Sequence, residues 1–312
     1  MNPSFAIVLF TTLAGSAQGL SVALAFAALA GVAPAPGVLL LALGVAQALL
    51  LVALASAFAH LGRPERAWRA AAMWRTSWMS REVIVLPAFM AAVAGWALAV
   101  WCQAPAGAQA LLAAGVLALA ALLWLCTGMI YACLRMVREW AHPLTVLNYA
   151  LMGLCSGAVL AGALAAAAGE GAFARRLQPW ALALTLLAWA GRALALRRNA
   201  ALVPRSTPQS ATGLRGVRVV QLSRGFTGGS HNTREFFHGA SPWAVRQVKP
   251  LFLMLAFKLP ALLLALPWIG VWDSTWIWGL AVLLQTLGLL AERWFFFAHV
   301  RHPQNLYYQA VA

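Results

Sequence analysis

The chain has 312 residues, of which 63% are hydrophobic and 9% are charged, and its mean hydropathy of +0.80 is too high for a soluble globular protein. It carries 22 Lys and Arg residues against 7 Asp and Glu residues, a formal net charge of +15. Unbroken apolar runs of about twenty residues recur, whereas alternating strand patterns do not, so we predict an all-α, polytopic membrane protein. A nucleic-acid role is excluded, because no soluble basic domain is present.

Segmentation at charges, Pro and Gly predicts eight transmembrane helices in a single membrane-anchor domain, residues 1–312. The predicted spans are residues 5–31, 37–60, 82–102, 108–134, 143–168, 177–197, 248–270 and 275–299. No Lys or Arg precedes the first span, which is also longer than a signal-peptide core, so we expect a retained helix. Residues 198–247 form the long loop between helices six and seven.

Small residues in the fifth span predict close helix packing. Gly153 and Gly157 are four residues apart, which places both on one helix face where a neighbouring backbone can approach. The sequence shows no obvious internal repeat.

Basic residues are distributed unequally between the two ends of the predicted helices. If the helices alternate in direction, one side receives the 198–247 loop together with Arg63, Arg66, Arg69, Arg75, Arg81, Arg135, Arg138 and Arg301. The other side receives only Arg175 and Arg176. The positive-inside rule therefore predicts that both termini and the basic loops are cytoplasmic.

The segment "HLGRPERAWRA", residues 60–70, crowds a His, a carboxylate and several Arg residues at the end of the second span. Gly62 and Pro64 are expected to end that helix, and Trp68, Trp74 and Trp78 are suited to the membrane interface. Positive-inside anchoring alone explains residues such as Arg69. It explains the His and the carboxylates less well, because acidic residues contribute little to orientation.

Ionisable residues inside predicted spans are expensive in lipid and are by default functional. Lys258 would lie roughly 15 Å deep in the seventh span, and Glu292 and Arg293 roughly 10 Å deep in the eighth, at 1.5 Å per residue. We expect these three side chains to approach one another. The alternative is an ion pair that only holds helices together.

The six His residues all fall at or beyond the predicted cytoplasmic ends of the spans. A transmembrane di-haem relay needs two stacked His pairs, and the opposite membrane face has no His to supply them. We therefore expect no haem in this chain and no protein-bound metal.

The second part of the long loop mixes aromatic and basic residues in a pattern that favours docking of a peripheral protein. The candidate partner-binding residues are Arg224, Phe226, His231, Arg234, Phe236, Phe237 and His238. The alternative is a solvated basic loop that lies against anionic membrane lipid.

The block "HLGRPERAWRAAAMWRTSWMSREV" resembles the loop of DMSO-reductase-type membrane anchor subunits, which reads His-Leu-Gly, Pro, Arg-Ala, Ser and then Glu at the start of the next helix. The matching positions are His60-Leu61-Gly62, Pro64, Arg66-Ala67, Ser80 and Glu82. The eighth span, with Glu292, Arg293 and His299, is similar to the family's last helix. The long basic loop resembles that of anchors in cytoplasmic sulfite dehydrogenases.

The resemblance implies an inner-membrane subunit that anchors a molybdopterin catalytic subunit and an iron–sulfur subunit. It implies electron exchange between the iron–sulfur subunit and a quinone, either ubiquinone or menaquinone. We favour sulfite oxidation coupled to quinone reduction over quinol oxidation coupled to reduction of DMSO or another S- or N-oxide. A secondary transporter, suggested by Lys258 and Pro260 in one span, and a non-redox scaffold are the other candidate functions.

The resemblance implies a quinol site at His60 and Glu82. With the ionisable residues of the eighth span added, we expect a quinone pocket near the cytoplasmic ends of helices two, three and eight. The expected catalytic residues are His60, Glu82 and Glu292. The expected quinone-binding residues are His60, Arg63, Arg66, Arg81, Glu82, Arg293 and His299.

Overall fold

The computed structural model describes residues 3–59, 61–203, 206–214, 216, 218–219, 240–269 and 275–301. In this part all regular structure is helical, and eight helices are long and apolar enough to cross a membrane, as predicted. They are α1 Phe5–Leu29, α2 Pro36–Ala59, α3 Trp78–Trp101, α4 Ala106–Ala132, α5 Pro143–Ala167, α6 Gly171–Ala200, α7 with its consecutive segments Pro242–Leu253, Met254–Lys258 and Leu259–Ala265, and α8 Thr275–Ala298. Shorter helices are Pro64–Ala71, Pro208–Thr212 and Leu266–Ile269.

Local sequence sets the helix ends, and three starts differ from the predicted ones. α7 begins at Pro242 rather than 248, because the Ser241 hydroxyl caps it by accepting a hydrogen bond from the backbone N–H of Ala244 at 3.2 Å. α3 begins at Trp78 rather than near Glu82, because the Ser77 hydroxyl caps it by accepting a hydrogen bond from the backbone N–H of Ser80 at 3.3 Å. α6 begins at Gly171 rather than 177, because Arg175 and Arg176 are exposed on its first turns and do not interrupt the helix.

The helices pack as two groups of four consecutive helices. In the first group α1 contacts α2 and α4, and α3 contacts the same two helices, so the four close into a ring. In the second group α5 contacts α6 and α8, and α7 contacts the same two helices. α1 packs against α5 and α8, and α4 packs against α5, which joins the groups. The helix order is thus duplicated, although the sequence shows no obvious repeat.

The groups meet where α1 crosses α5 at glycine, as the small-residue pattern predicted. A Cβ atom on Gly157 would lie 1.9 Å from the carbonyl carbon of Gly19, and one on Gly19 would lie 1.8 Å from the carbonyl oxygen of Gly153. The Ser16 and Ser156 hydroxyls hydrogen-bond across the contact at 3.0 Å. Only residues without a side chain allow this approach, which packing within lipid favours.

Helix α7 contains a π-helical turn that its own sequence explains. Pro260 has no N–H to donate to the carbonyl of Ala256, four residues earlier. The turn Met254–Lys258 widens, the N–H of Leu259 bonds to the carbonyl of Met254, and the Gln285 side chain of α8 donates to the Ala256 carbonyl at 3.2 Å.

The connecting segments fall on two ends of the bundle. Segments 30–35, 102–105 and 168–170 connect helices at one end. The other end, which we call the charged face, bears segments 61–77 and 133–142 and the last turn of α6. On the charged face Trp68 and Trp74 are exposed, as expected of residues at a membrane interface.

We predict that Gly157→Ala destabilises the protein by about 1–3 kcal/mol, because the new methyl group overlaps the α1 backbone. The measurement is the midpoint of thermal unfolding in detergent, followed by tryptophan fluorescence. The matched control is Gly115→Ala in α4, where a Cβ atom meets nothing within 4 Å. Equal midpoints for the two variants would contradict the α1–α5 contact.

Candidate functional site

The buried ionisable side chains of the described chain lie in one layer near the charged face. Glu82 is in the second turn of α3, Arg192 is in the last third of α6, and Glu292 and Arg293 are near the end of α8. Each of these side chains is at most 8% exposed. At 1.5 Å per residue they lie roughly 6–12 Å below the helix ends.

Three of these residues form a buried ionic triad. The Arg192 Nη2 and Glu292 Oε1 atoms are 2.8 Å apart, and Arg293 Nε lies 3.6 Å from Glu292 Oε2. One carboxylate therefore lies between two guanidinium groups, and the triad has a net positive charge. The Glu292–Arg293 pair was expected from the sequence, and the structure adds Arg192.

Aromatic rings surround the triad on its α4 and α5 sides. The Arg293 guanidinium carbon lies 3.8 Å from the ring centroid of Tyr149, and this cation–π contact stabilises the charged guanidinium. Tyr149 stacks on Tyr131 at 5.7 Å between centroids, with an angle of 8° between the rings. The Trp140 indole N–H donates to the carbonyl of Phe296 at 3.2 Å and so fixes segment 133–142 to the end of α8.

A cleft runs from the charged face to the triad. Its empty volume is about 520 Å³, including the open mouth. Residues at the mouth are Glu139, His142, Arg198, Asn199 and His299. Residues at the buried inner end are Asn148, Tyr149, Arg192, Glu292 and Arg293.

Apart from the ion-paired Glu292 carboxylate, three buried polar atoms that line the cleft have no hydrogen-bond partner in the part of the chain that the structure describes. They are Nε of Arg192, a donor, Oδ1 of Asn148, an acceptor, and the Tyr149 hydroxyl, which can do both. At the mouth, partial burial and then the positive charges of Arg192, Arg301 and Lys249 lower the pKa of His299 to about 4. Its imidazole is therefore neutral at pH 7.

Glu82 lies in a separate buried position between α3 and α4, where its carboxylate accepts a short hydrogen bond from the Thr127 hydroxyl. The neighbouring Arg81 points the other way. It donates to the carbonyls of Trp74 and Arg75 at 2.9 and 2.8 Å and covers the ring of Trp78 at 4.1 Å. Arg81 therefore folds segment 74–78 onto the start of α3.

The loop residues of the predicted site are on the surface above Glu82. Arg63 and Arg66 are exposed, and Arg66 makes only a 3.8 Å contact with the exposed Glu65. His60 lies outside the described residues, as do all the candidate partner-binding residues from Arg224 to His238.

The structure does not bring the expected residues into one pocket. Glu292 of α8 faces α6, where it pairs with Arg192. Glu82 of α3 faces α4, where it accepts a hydrogen bond from Thr127. α8 packs against α5, α7 and α1. The expectation that Lys258 approaches Glu292 is wrong. Lys258 is exposed on α7, with its ammonium 5.4 Å from the ring centroid of Trp189, because the α7 residues that face α8 are Ala256 and Phe257.

Sequence reasoning missed Arg192, Asn148, Tyr149 and Thr127. Arg192 had a usable signal, since it lies in a predicted span and the rule for intramembrane charges applies to it as it does to Glu292. The other three have none, because uncharged polar residues are common in membrane helices. Among the described residues no group of three or more His, Cys, Asp or Glu side chains could hold a metal ion.

We predict that Glu292→Gln destabilises the protein by about 3–5 kcal/mol, because it leaves two buried guanidinium groups facing each other. Arg192→Gln should cost less, since Glu292 and Arg293 then remain as a neutral pair. The double variant Arg192→Gln with Glu292→Gln should recover part of the loss. Thermal unfolding in detergent gives the order, and a larger loss for Arg192→Gln than for Glu292→Gln would contradict the triad.

Comparison with known proteins gives two findings. Residues 1–215 match the family model described as DMSO reductase anchor subunit (DmsC). Over 328 aligned positions the chain is 46% identical to the C subunit of the sulfite dehydrogenase of Allochromatium vinosum, and the alignment covers 100% of both chains. The family match covers more than half of the chain, and the relative matches it end to end. The chain therefore belongs to the DMSO reductase anchor subunit family and is a multi-pass membrane protein.

Proposed function

We propose that this protein is the quinone-reactive membrane anchor of a molybdoenzyme complex in the bacterial inner membrane. Its partners would be an iron–sulfur subunit and a molybdopterin catalytic subunit. The observation that carries the proposal is the layer of buried ionisable side chains at one end of the bundle, the end to which basic segments also belong. A non-redox scaffold has no need of buried charges in lipid, where they are costly.

The direction that we favour is reduction of quinone with electrons from sulfite oxidation. The relative from Allochromatium vinosum, which is named as part of a sulfite dehydrogenase, supports this direction, since it aligns with the whole chain. The family description, DMSO reductase anchor subunit, supports the reverse direction, in which quinol oxidation drives reduction of DMSO or another S- or N-oxide. The residues proposed below serve either direction.

Quinone takes up two electrons and two protons when it becomes quinol. Glu82 is the residue proposed to hold one of these protons, since its carboxylate is buried and near the charged face. Thr127 orients the carboxylate through its hydroxyl. His60, Arg63 and Arg66, in the loop that precedes α3, are proposed to hold the quinone carbonyl by hydrogen bonds.

The residues at the second position fit the same chemistry. The unpartnered donor Nε of Arg192 and acceptor Oδ1 of Asn148 could serve a carbonyl or hydroxyl oxygen. The triad would stabilise negative charge that develops on reduction, because it carries a net positive charge. Glu292, Arg293 and His299 are therefore kept as proposed site residues, with Arg192 added.

We predict that Glu82→Gln lowers quinone-coupled turnover by about 10²-fold, because Gln keeps the shape and the hydrogen bond but holds no titratable proton. Assembly with the partner subunits and the activity of the complex with an artificial electron dye should be unchanged. Glu170→Gln, on the opposite face, is the matched control. Wild-type quinone-coupled turnover in Glu82→Gln would show that the chemistry does not depend on this carboxylate.

The 198–247 loop and both termini are proposed to be cytoplasmic, and the loop is proposed to bind the iron–sulfur subunit through residues 224–238. The basic residues of the charged face support this orientation. We predict that trypsin cuts the loop in inverted membrane vesicles that lack the partner subunits. The assembled complex should protect the loop, and right-side-out vesicles should leave it intact.

Cleavage in right-side-out vesicles would reverse the proposed orientation. Equal cleavage with and without the partner subunits would show that the loop lies on lipid rather than on the iron–sulfur subunit. Segment 102–105, which contains no Lys or Arg, is the internal control because trypsin cannot cut it in either preparation.

A further inference from the structure

The cleft that opens at the charged face ends at a buried positive charge. Arg192 and Arg293 share the single carboxylate of Glu292, with N–O distances of 2.8 and 3.6 Å, so one guanidinium charge remains unbalanced. All three side chains line the inner end of the cleft, and each residue is at most 5% exposed. An unbalanced charge is costly inside a membrane protein, so this position favours a further anion.

The other carboxylates of the described chain do not supply that anion. Glu82 belongs to the first group of four helices, where it faces α4. Glu65 is exposed in the loop before α3, and Glu170 is at the opposite end of the bundle. Glu139 lines the cleft, but it lies at the mouth, where Arg198 donates to its backbone carbonyl at 3.3 Å and adds a positive charge of its own. The charge of the triad is therefore left to a ligand.

The inner end also offers an unpartnered donor and an unpartnered acceptor on neighbouring residues. Nε of Arg192 and Oδ1 of Asn148 are buried without a hydrogen-bond partner in the described chain. The Asn148 amide is fixed in this orientation, because its N–H group donates at 3.2 Å to the carbonyl of Gly191, the residue before Arg192. Its oxygen lies against the same residue, 2.9 Å from the place that a Cβ atom on Gly191 would take. A ligand beside Arg192 can therefore accept from one group and donate to the other.

Few small ligands match both the charge and the two hydrogen bonds. Water can donate and accept, but it carries no charge. Chloride and nitrate carry the charge, but they have no hydrogen to give to Asn148. A singly charged oxyanion that keeps one O–H group, such as bicarbonate or dihydrogen phosphate, has all three properties. The cleft is open at the charged face and has an empty volume of about 520 Å³, so an ion of this size can enter without crossing lipid.

We propose that the inner end of this cleft binds a singly charged oxyanion that carries one O–H group. One oxygen of the anion accepts from Nε of Arg192, the O–H group donates to Oδ1 of Asn148, and the negative charge balances the triad. The anion has two possible sources, which share this chemistry. One is a free ion from the aqueous phase, and the other is the headgroup of a lipid such as phosphatidylglycerol, whose phosphate supplies the charge and whose glycerol supplies the O–H group.

The first arm of the test compares two matched anions on the full chain in detergent, without turnover. Bicarbonate and nitrate are both planar and singly charged, with three oxygens around one central atom, but only bicarbonate carries an O–H group. Each replaces chloride at constant ionic strength, and the midpoint of thermal unfolding is followed by tryptophan fluorescence. We expect bicarbonate to raise the midpoint by about 2 °C at ten times its dissociation constant, and nitrate to raise it less.

Three variants assign the effect to the cleft. Arg192→Gln removes the donor and leaves Glu292 and Arg293 as a neutral pair, so it should abolish the shift with bicarbonate. Asn148→Leu removes the acceptor, so bicarbonate and nitrate should give equal shifts. The control is Thr145→Val, which removes a cleft hydroxyl already bonded to the Trp140 carbonyl at 2.7 Å and should keep the wild-type shift. Should Asn148→Leu fail to fold, Arg192→Gln and the wild-type comparison decide.

The second arm separates the two sources of the anion. Phosphatidylglycerol and phosphatidylmethanol are both singly charged lipids, but only the first has an O–H group in its headgroup. They are added in turn to the same detergent micelles. A stabilisation by phosphatidylglycerol alone, lost in Arg192→Gln, identifies a lipid headgroup as the ligand, whereas a stabilisation by bicarbonate identifies a free ion. The inference is overturned if neither ligand raises the midpoint, if the partner without an O–H group stabilises equally, or if Arg192→Gln keeps the wild-type shift.

A bound anion would also regulate the proposed quinone chemistry, and this consequence alone rests on the proposed function. The anion occupies the two atoms, on Arg192 and Asn148, that are proposed to serve a quinone oxygen. In the assembled complex the stabilising anion should therefore raise the KM for quinone and leave kcat unchanged. An unchanged KM together with the shift in unfolding midpoint would remove quinone from this position and leave the anion site standing, so the two failures are distinguishable.

Discussion

The glycine contact between α1 and α5 is the constraint on which the arrangement of the buried layer depends. Gly19, Gly153 and Gly157 let two helix backbones touch, and this contact joins the two groups of four helices. With α5 held against α1 and α4, Tyr149 of α5 reaches Tyr131 of α4 on one side and Arg293 of α8 on the other. A larger residue at the crossing would separate the groups and the polar residues that meet between them.

The low dielectric of the membrane explains why the buried charges occur together rather than singly. An isolated guanidinium or carboxylate would lose its hydration without compensation. Arg192 and Arg293 share Glu292, and Arg293 also lies on the face of Tyr149. Location near the charged face lowers the cost further, because the cleft opens from that face onto the triad. Ion pairing and closeness to the aqueous phase both lower the cost of burying these charges, and both are available at this end of the bundle.

The sequence predicted the helices well because a membrane span is a local property. About twenty apolar residues suffice to identify one, and Pro260 or Ser77 then adjusts the geometry within a few residues. Which helices touch is not local. The Glu292–Arg293 pair was expected, but its partner Arg192 comes from a helix about a hundred residues earlier. Lys258 was wrongly predicted to approach Glu292, because the depth of a residue in the membrane does not tell which face of α7 meets α8.

The two helix groups share an order but differ in their polar chemistry, and this difference has an electrostatic consequence. In the described chain the buried carboxylates Glu82 and Glu292 equal the buried guanidiniums Arg192 and Arg293 in number, so the layer is neutral while Glu82 is ionised. Protonation of Glu82 leaves the layer with one positive charge, which favours the arrival of an electron nearby. Conversely, negative charge arriving in the layer favours protonation of Glu82. Glu292 is held by two guanidiniums, whereas Glu82 has only the Thr127 hydroxyl as its hydrogen-bond partner in the described chain. Under the proposed quinone chemistry we therefore expect this coupling of electron and proton to fall on Glu82 rather than on Glu292.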